Sequence, residues 1–538
     1  MELLTLMAVL AGSLGLTAFA RRFNQSAPLL IVVVALAISF VPGVPRVELD
    51  PELVLTVVLP PLLYSTSLDS SVAHFKSNLR PIVSLGVALV VVTALVVGLV
   101  VHLLLPDLPF ASALVLGAVV APPDAVTAVA IGRRLGLPRR VMAVLTGESL
   151  VNDAAALTLY KIGIAAALGT AGSIGGGVVV FAVATVVGIG IGLVIGMIVG
   201  LIRHKLDDPL IESTFGIIVP FAAYVAAEHV HGSGVLAVVA AGLFLGHKSL
   251  RYGSPATRMQ DSSVWASIDV LLEALVFALM GLQLPFVLES AHAAARSDGT
   301  LAWCALVVLM VTMLVRIPAV FVSSYLPQTA RLFGRERAVP PWRQLAVVSW
   351  TGMRGVVTLA AATGIPVDVP GRTEIQLFAF TVAIGTLLIQ GLTLPALIRK
   401  LDVADPDEAV RDAEEEMAAR TVAQAAAKER LTEILRERVS TMDVPPEKVE
   451  KIRQRLDTLI ESRYRFAAAG ISLSAEERVA SPQAQFAKAR RELLVIQREA
   501  MIAEREAGRL DDDILRKVLR ELDLEELTLT SRLTPRAG

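Results

Sequence analysis

Thirteen stretches of nearly uninterrupted apolar residues organise the first 400 positions: 2–20, 28–42, 52–67, 81–105, 109–132, 141–168, 174–202, 210–228, 233–246, 264–287, 300–325, 341–364 and 375–398. Inside them the apolar positions do not recur with the period of a half-buried helix or strand. Most stretches run for roughly 17 to 25 residues, the length a helix needs to cross the hydrocarbon core of a bilayer. A segment in lipid must satisfy its own backbone, so the pattern predicts an all-α polytopic membrane protein of about thirteen transmembrane helices.

The polar positions between the stretches support that count. Lys and Arg fall in alternate loops: Arg21 and Arg22; Lys76 and Arg80; Arg133, Arg134, Arg139 and Arg140; Arg203 and Lys205; Lys248, Arg251 and Arg258; then Arg331, Arg335, Arg337 and Arg343. The intervening loops carry only Arg46, Arg296 and Arg372. Basic loops stay in the cytoplasm, so the N-terminus is expected outside and the C-terminus inside a cell (plasma) membrane. Leu3 to Phe19 is followed by Arg21-Arg22 but not preceded by a basic region, and reads as a first spanning helix rather than a cleaved signal peptide.

After Lys400 the pattern changes. Residues 401–538 form a charged tail with stretches such as EEEMAARTVAQAAAKERLTEILRERV, whose alternating charges need water and favour helix. Breaks are expected at Pro445-Pro446 and between Gly470 and Pro482. Two readings of this cytoplasmic tail stand side by side: a solvated appendage aiding dimerisation, or a regulatory domain sensing pH or a ligand.

Composition adds little beyond 54% hydrophobic content. The single cysteine, Cys304, excludes a disulfide within the chain and argues against a thiolate metal site. HExxH, P-loop and GxGxxG patterns in a suitable context are absent from the sequence, as is GxSxG with plausible partners. Neither enzyme catalysis nor a cofactor is expected.

The chemistry lies in groups that do not belong in lipid. GESLVND, Gly147 to Asp153, sits in the sixth stretch, and an ionisable side chain at membrane depth costs about 2.5 to 3.5 kcal/mol unless paired or hydrated. Glu148 and Asn152 share one helix face; Ser149 and Asp153 share the next. The Asp153 carboxylate, Ser149 hydroxyl and Asn152 amide oxygen are ligand types suited to a hard cation such as sodium, and a carboxylate can instead hold a proton. Of the cationic residues within the stretches, Arg316 is the expected partner of Glu148, which leaves Glu148 either structural or an ion ligand.

Two stretches contain helix breakers at their centres. Pro122-Pro123-Asp124 interrupts the fifth, and Thr351-Gly352-Met353-Arg354-Gly355 the twelfth. Stretches 4-5-6 and 11-12-13 form matched triplets, suggesting inverted repeats whose broken helices cross. At such a crossing two half-helix N-termini carry partial positive charge and two C-termini partial negative charge. Asp124 is expected to offset the former, Arg354 the latter, and backbone carbonyls near Pro123 are candidate ion ligands. Pro60-Pro61 is expected to kink the third stretch. Glu228 and Glu273 either line an access funnel or reach the interface. His229 and His231 read as surface residues, with pH sensing as the alternative.

With these residues in hand, the chain resembles the monovalent cation/proton antiporters of the first type, bacterial sodium/proton antiporters related to eukaryotic sodium/proton exchangers. GESLVND at 147–153 is the most specific match, joined by LPPLLY at 59–64, PDAVTAVA at 123–130, SGVLAVVAAGL at 233–243, Arg316 and GMRGVV at 352–357. The resemblance implies a homodimer in which a mobile core (81–168 and 300–398) works as an elevator against a dimerisation part (1–67 and 174–287). It implies that sodium or lithium and protons compete at Asp153, with Ser149 a neighbouring ligand and Glu148 paired to Arg316. It also implies electroneutral one-for-one exchange, because Asn152 precedes the aspartate. Two departures bear on selectivity: Pro123-Asp124-Ala125 replaces a common Thr-Asp-Pro, and Ser65 stands where some members have a glutamate. Potassium/proton exchange, a passive channel and a membrane sensor signalling through its tail are the alternatives.

Overall fold

The computed structural model describes residues 3–23, 25–42, 51–169, 174–206, 208–252, 255–285, 289, 297–329 and 340–403, with scattered positions between 410 and 526. Arg46, Arg296, Arg331, Arg335 and Arg337 of the charge pattern, and the tail breaks at 445–446 and 470–482, lie outside the described residues. The described residues form no strand, and the chain divides into two compact units, Met1–Ala404 and Asp405–Gly538.

The first unit is a bundle of helices: α1 (Leu3–Arg22), α2 (Ala27–Ser39), α3 (Pro51–Asp69), α4 (Leu79–Leu104), α5a (Phe110–Val120) and α5b (Ala125–Arg134), α6 (Arg139–Ala167), α7 (Ile174–Lys205), α8 (Pro209–His229), α9 (Gly234–Tyr252), α10 (Pro255–Leu282), α11 (Asp298–Thr329), α12a (Trp342–Trp350) and α12b (Val356–Thr363), and α13 (Arg372–Leu401). Among the described residues, ten helices are long and apolar enough to cross a membrane, the broken α5 pair counting as one. The remaining apolar stretches are shorter helices, α2 and α9, and the split α12 pair.

Polar residues inside these helices satisfy themselves locally. Thr17, Ser67, Thr312 and Thr386 each donate a hydroxyl hydrogen bond to the carbonyl four residues back, which removes a free donor from an apolar surrounding. Pro60-Pro61 removes two amide donors, and the chain responds with a π-helical turn, Val54–Val58, just before them. Glycines allow the tightest approaches. A Cβ on Gly192 would lie 2.1 Å from the Ala237 carbonyl oxygen where α7 crosses α9. A Cβ on Gly117 would lie 2.1 Å from that of Ala94, where α5a crosses α4. Large apolar side chains such as Val183, Val186 and Leu201 of α7 remain exposed, as a lipid-facing surface requires.

Two triplets of the same design share the centre, α4–α5–α6 and α11–α12–α13, each with its middle helix broken. In the second unit every described residue is helical; Arg430 pairs with Glu433 and Arg490 with Glu525.

Candidate functional site

The double proline stops α5a at Val120, and residues 121–124 run without helical hydrogen bonding. Asp124 then opens α5b as its N-cap, its Oδ1 accepting the Val126 N–H at 2.9 Å. Residues 351–355 are similarly non-helical. The two breaks touch, because the Asp124 N–H donates to the Met353 carbonyl at 2.6 Å. A Cβ on Gly355 would fall 1.9 Å from Asp124 Oδ2, so only glycine allows this approach.

Charge is distributed across the crossing by end. Arg354, 2% exposed, donates from Nε to the Val120 carbonyl at 2.8 Å and from Nη2 to that of Ala121 at 3.4 Å. Its Nη1 donates to the Gly352 carbonyl, and its backbone N–H to Thr386 Oγ1 at 2.9 Å. One guanidinium therefore covers carbonyls at the C-terminal end of α5a, where the helix dipole leaves partial negative charge, and one in the break that follows α12a. Asp124 lies at both opposite ends, capping α5b and touching the start of α12b.

Glu148 and Arg316 form a fork-to-fork pair, 2.5 Å from Nη1 to Oε1 and 2.8 Å from Nη2 to Oε2, each side chain 2% exposed. Arg316 Nε also donates to the Val348 carbonyl at 3.1 Å, tying α6, α11 and α12a together. Such pairing satisfies a buried charge at both ends.

Five residues on, Asp153 is buried at 8% exposure, and among the described residues nothing hydrogen-bonds its carboxylate. Asn152, fully buried, donates from Nδ2 to the Pro123 carbonyl at 2.6 Å and leaves its Oδ1 without a partner. The Pro123 carbonyl thus holds Asn152 against the break. Ser149 is half-buried one turn before Asp153. An unpaired carboxylate, a free amide oxygen and a hydroxyl within little more than one turn of α6 are the ligand types that suit a cation, and the carboxylate also suits a proton.

Sequence reasoning passed over Asp269. It lies in α10 one turn before Glu273, and Ser65 Oγ donates to its Oδ1 at 2.7 Å. Ser65 is thus met by a carboxylate from another helix. The i, i+4 spacing of Asp269 and Glu273 within one apolar stretch was the available signal. Glu228 pairs with Lys161 at 2.7 Å. His229 and His231 are exposed.

The family model described as "Sodium/hydrogen exchanger, transmembrane" matches residues 6–400. This chain belongs to the sodium/hydrogen exchanger family. Over 539 aligned residues it is 32% identical to an uncharacterized Na(+)/H(+) exchanger of Mycobacterium tuberculosis, covering 98% of this chain and 96% of that relative, tail included. It is 32% identical over 420 residues to the Na(+)/H(+) antiporter ApNhaP of Aphanothece halophytica, with 77% of each covered. Among solved structures, the sodium proton antiporter MjNhaP1 from Methanocaldococcus jannaschii superposes with a TM-score of 0.54 at 15% identity, over 74% of this chain and 98% of that one. That likeness confirms the all-helical exchanger fold. Members of this family are membrane transporters of ions and need no cofactor.

Proposed function

We propose that this family member exchanges sodium, or lithium, for protons by alternating access, one for one, with cation and proton competing for Asp153. The observation that carries the reading is the contrast of partners around the crossing: Glu148 has Arg316, Asp124 and Arg354 face opposite helix ends, and among the described residues Asp153 has no basic partner. A bare carboxylate cannot cross a low-dielectric barrier, so Asp153 moves only when a cation or a proton neutralises it. Ser149 and the Asn152 amide oxygen complete the cation's ligands. The Pro123 carbonyl serves by orienting Asn152, and Glu148 with Arg316 holds α6 in the core.

The moving part comprises 81–168 and 300–398, and the scaffold, through which a homodimer forms, 1–67 and 174–287. The hydrogen bonds described above at the crossing stay within the first set, and Ser65–Asp269 stays within the second. All thirteen helices or helix pairs cross the plasma membrane, with the N-terminus outside and the tail in the cytoplasm.

Reconstituted vesicles with the membrane potential clamped test the reading. Sodium and lithium gradients should drive proton flux with no net charge movement, and potassium should do so weakly. Because one proton displaces one cation, the apparent KM for sodium should rise about tenfold per pH unit of acidification once the carboxylate protonates. A sodium KM indifferent to pH sinks the competition.

A further inference from the structure

The interface between α6 and the α8–α9 hairpin is apolar along most of its length. Leu150, Ala154 and Leu157 of α6 pack in one cluster with Ala223 and Ala227 of α8 and Leu236 and Val239 of α9. Such a seam can slide with little penalty, because no polar group loses a partner as it moves. Eight residues beyond Asp153, about 12 Å along the helix, its character changes. Lys161 Nζ donates to Glu228 Oε2 at 2.7 Å, and Glu228 Oε1 accepts the N–H of Gly234, the first residue of α9, at 3.2 Å.

The two partners are held differently. Glu228 is fixed within the hairpin: a Cβ on Gly234 would lie 2.6 Å from Tyr224 Cδ2 and 3.1 Å from Glu228 Cγ, so the glycine admits both side chains against the start of α9. Lys161 is 62% exposed on a flexible stem and reaches this fixed acceptor from the helix that carries Asp153. A tethered acceptor on one body and a long cation on the other make a contact that forms in one relative position and parts in another.

We propose that Lys161 and Glu228 form a latch at the end of α6 farthest from the basic loops, closed in this conformation and released each time Asp153 crosses. The proposal rests on the alternating-access reading, in which α6 moves against α8 and α9. Exposed ion pairs are weak, so the latch biases the two conformations rather than locking them. It sets how often the core leaves this position and takes no part in holding the ion.

The test uses the full chain in proteoliposomes, with Cys304→Ala removing the native thiol. In Lys161→Cys/Glu228→Cys, a bifunctional methanethiosulfonate whose spacer replaces the length lost with the Lys and Glu side chains joins the two positions, because backbones held apart by two long side chains are too distant for a direct disulfide; each thiolate forms a disulfide to the spacer and releases one methanesulfinate. Exchange should fall by at least about tenfold and return on reduction with dithiothreitol, as expected when one of two states is trapped. Full exchange by protein shown to be cross-linked overturns the latch. Independently of the cross-link, Glu228→Gln should shift the ratio of apparent sodium KM values at the two faces by about two- to fivefold, and the exchanged pair Lys161→Glu/Glu228→Lys should restore it. An unchanged ratio in Glu228→Gln, or no restoration by the exchange, also overturns it. Asp153→Asn separates the two levels: if that variant still exchanges, the underlying reading fails. If it is inactive while the cross-linked protein runs at full rate, the latch alone fails.

Discussion

Two carboxylates five residues apart on α6 have opposite surroundings. Glu148 receives two charge-assisted hydrogen bonds from Arg316, which is itself tied to the Val348 carbonyl, while Asp153 has a half-buried hydroxyl and a free amide oxygen nearby and, among the described residues, no cationic partner. Both are buried, so burial does not distinguish them. What differs is whether the fold supplies the neutralising charge. Where it does, the acid fixes geometry; where it does not, the charge must come from solution, and that requirement is a binding site. A difference in partners between neighbouring acids on one helix is therefore more informative than the presence of acids in a membrane.

The sharpest way to break the contrast is Asp153→Asn. The amide is nearly isosteric and needs no neutralisation, so the protein should fold, as judged by a single size-exclusion peak, while sodium-driven proton flux drops to the level of empty vesicles. Retained flux would mean the two acids do not differ in role. Arg316→Ala attacks the other side. It strands Glu148 as an uncompensated buried charge and should lower stability by about 3 to 5 kcal/mol, read as early thermal unfolding. The double variant Glu148→Gln/Arg316→Met removes both charges and should recover most of that loss.

The crossing itself supplies a third, smaller test. Gly355→Ala puts a methyl where Asp124 Oδ2 sits, forcing Asp124 away from its cap on α5b. Stability should fall by about 1 to 3 kcal/mol and exchange with it. Gly136→Ala, at a positive-φ turn with nothing near the added methyl, controls for backbone strain without the clash and should leave exchange intact.

Much of this site was legible in the chain. Pro122-Pro123 announces a broken helix because two amide donors are missing, and GESLVND stands out because ionisable groups in an apolar stretch demand a reason. Arg316 followed as the charge in the matching triplet. The sequence was silent where contacts depend on how distant helices align. Nothing local indicates that Ser65 meets Asp269 across 204 positions, that Thr386 receives the Arg354 N–H, or that Lys161 reaches Glu228. Gly355 is similar: its need for glycine comes from the opposing break, since its own φ of −124° suits any residue. The π turn before Pro60 shows the reverse case, a local signal whose type was readable but whose form was not.

The mildest prediction concerns Glu273, which belongs to neither class of acid. It has no basic partner within hydrogen-bond reach among the described residues, it is half-buried rather than enclosed, and it follows Asp269 by one turn of α10. A carboxylate there concentrates cations near the site without binding one tightly. Glu273→Gln should raise the apparent KM for sodium by about two- to fivefold at low ionic strength, leave kcat unchanged, and lose its effect as an impermeant salt is added. If kcat falls instead and salt makes no difference, Glu273 holds the ion directly, and the contrast drawn on α6 between a paired acid and an unpaired one must be redrawn to include an acid of α10.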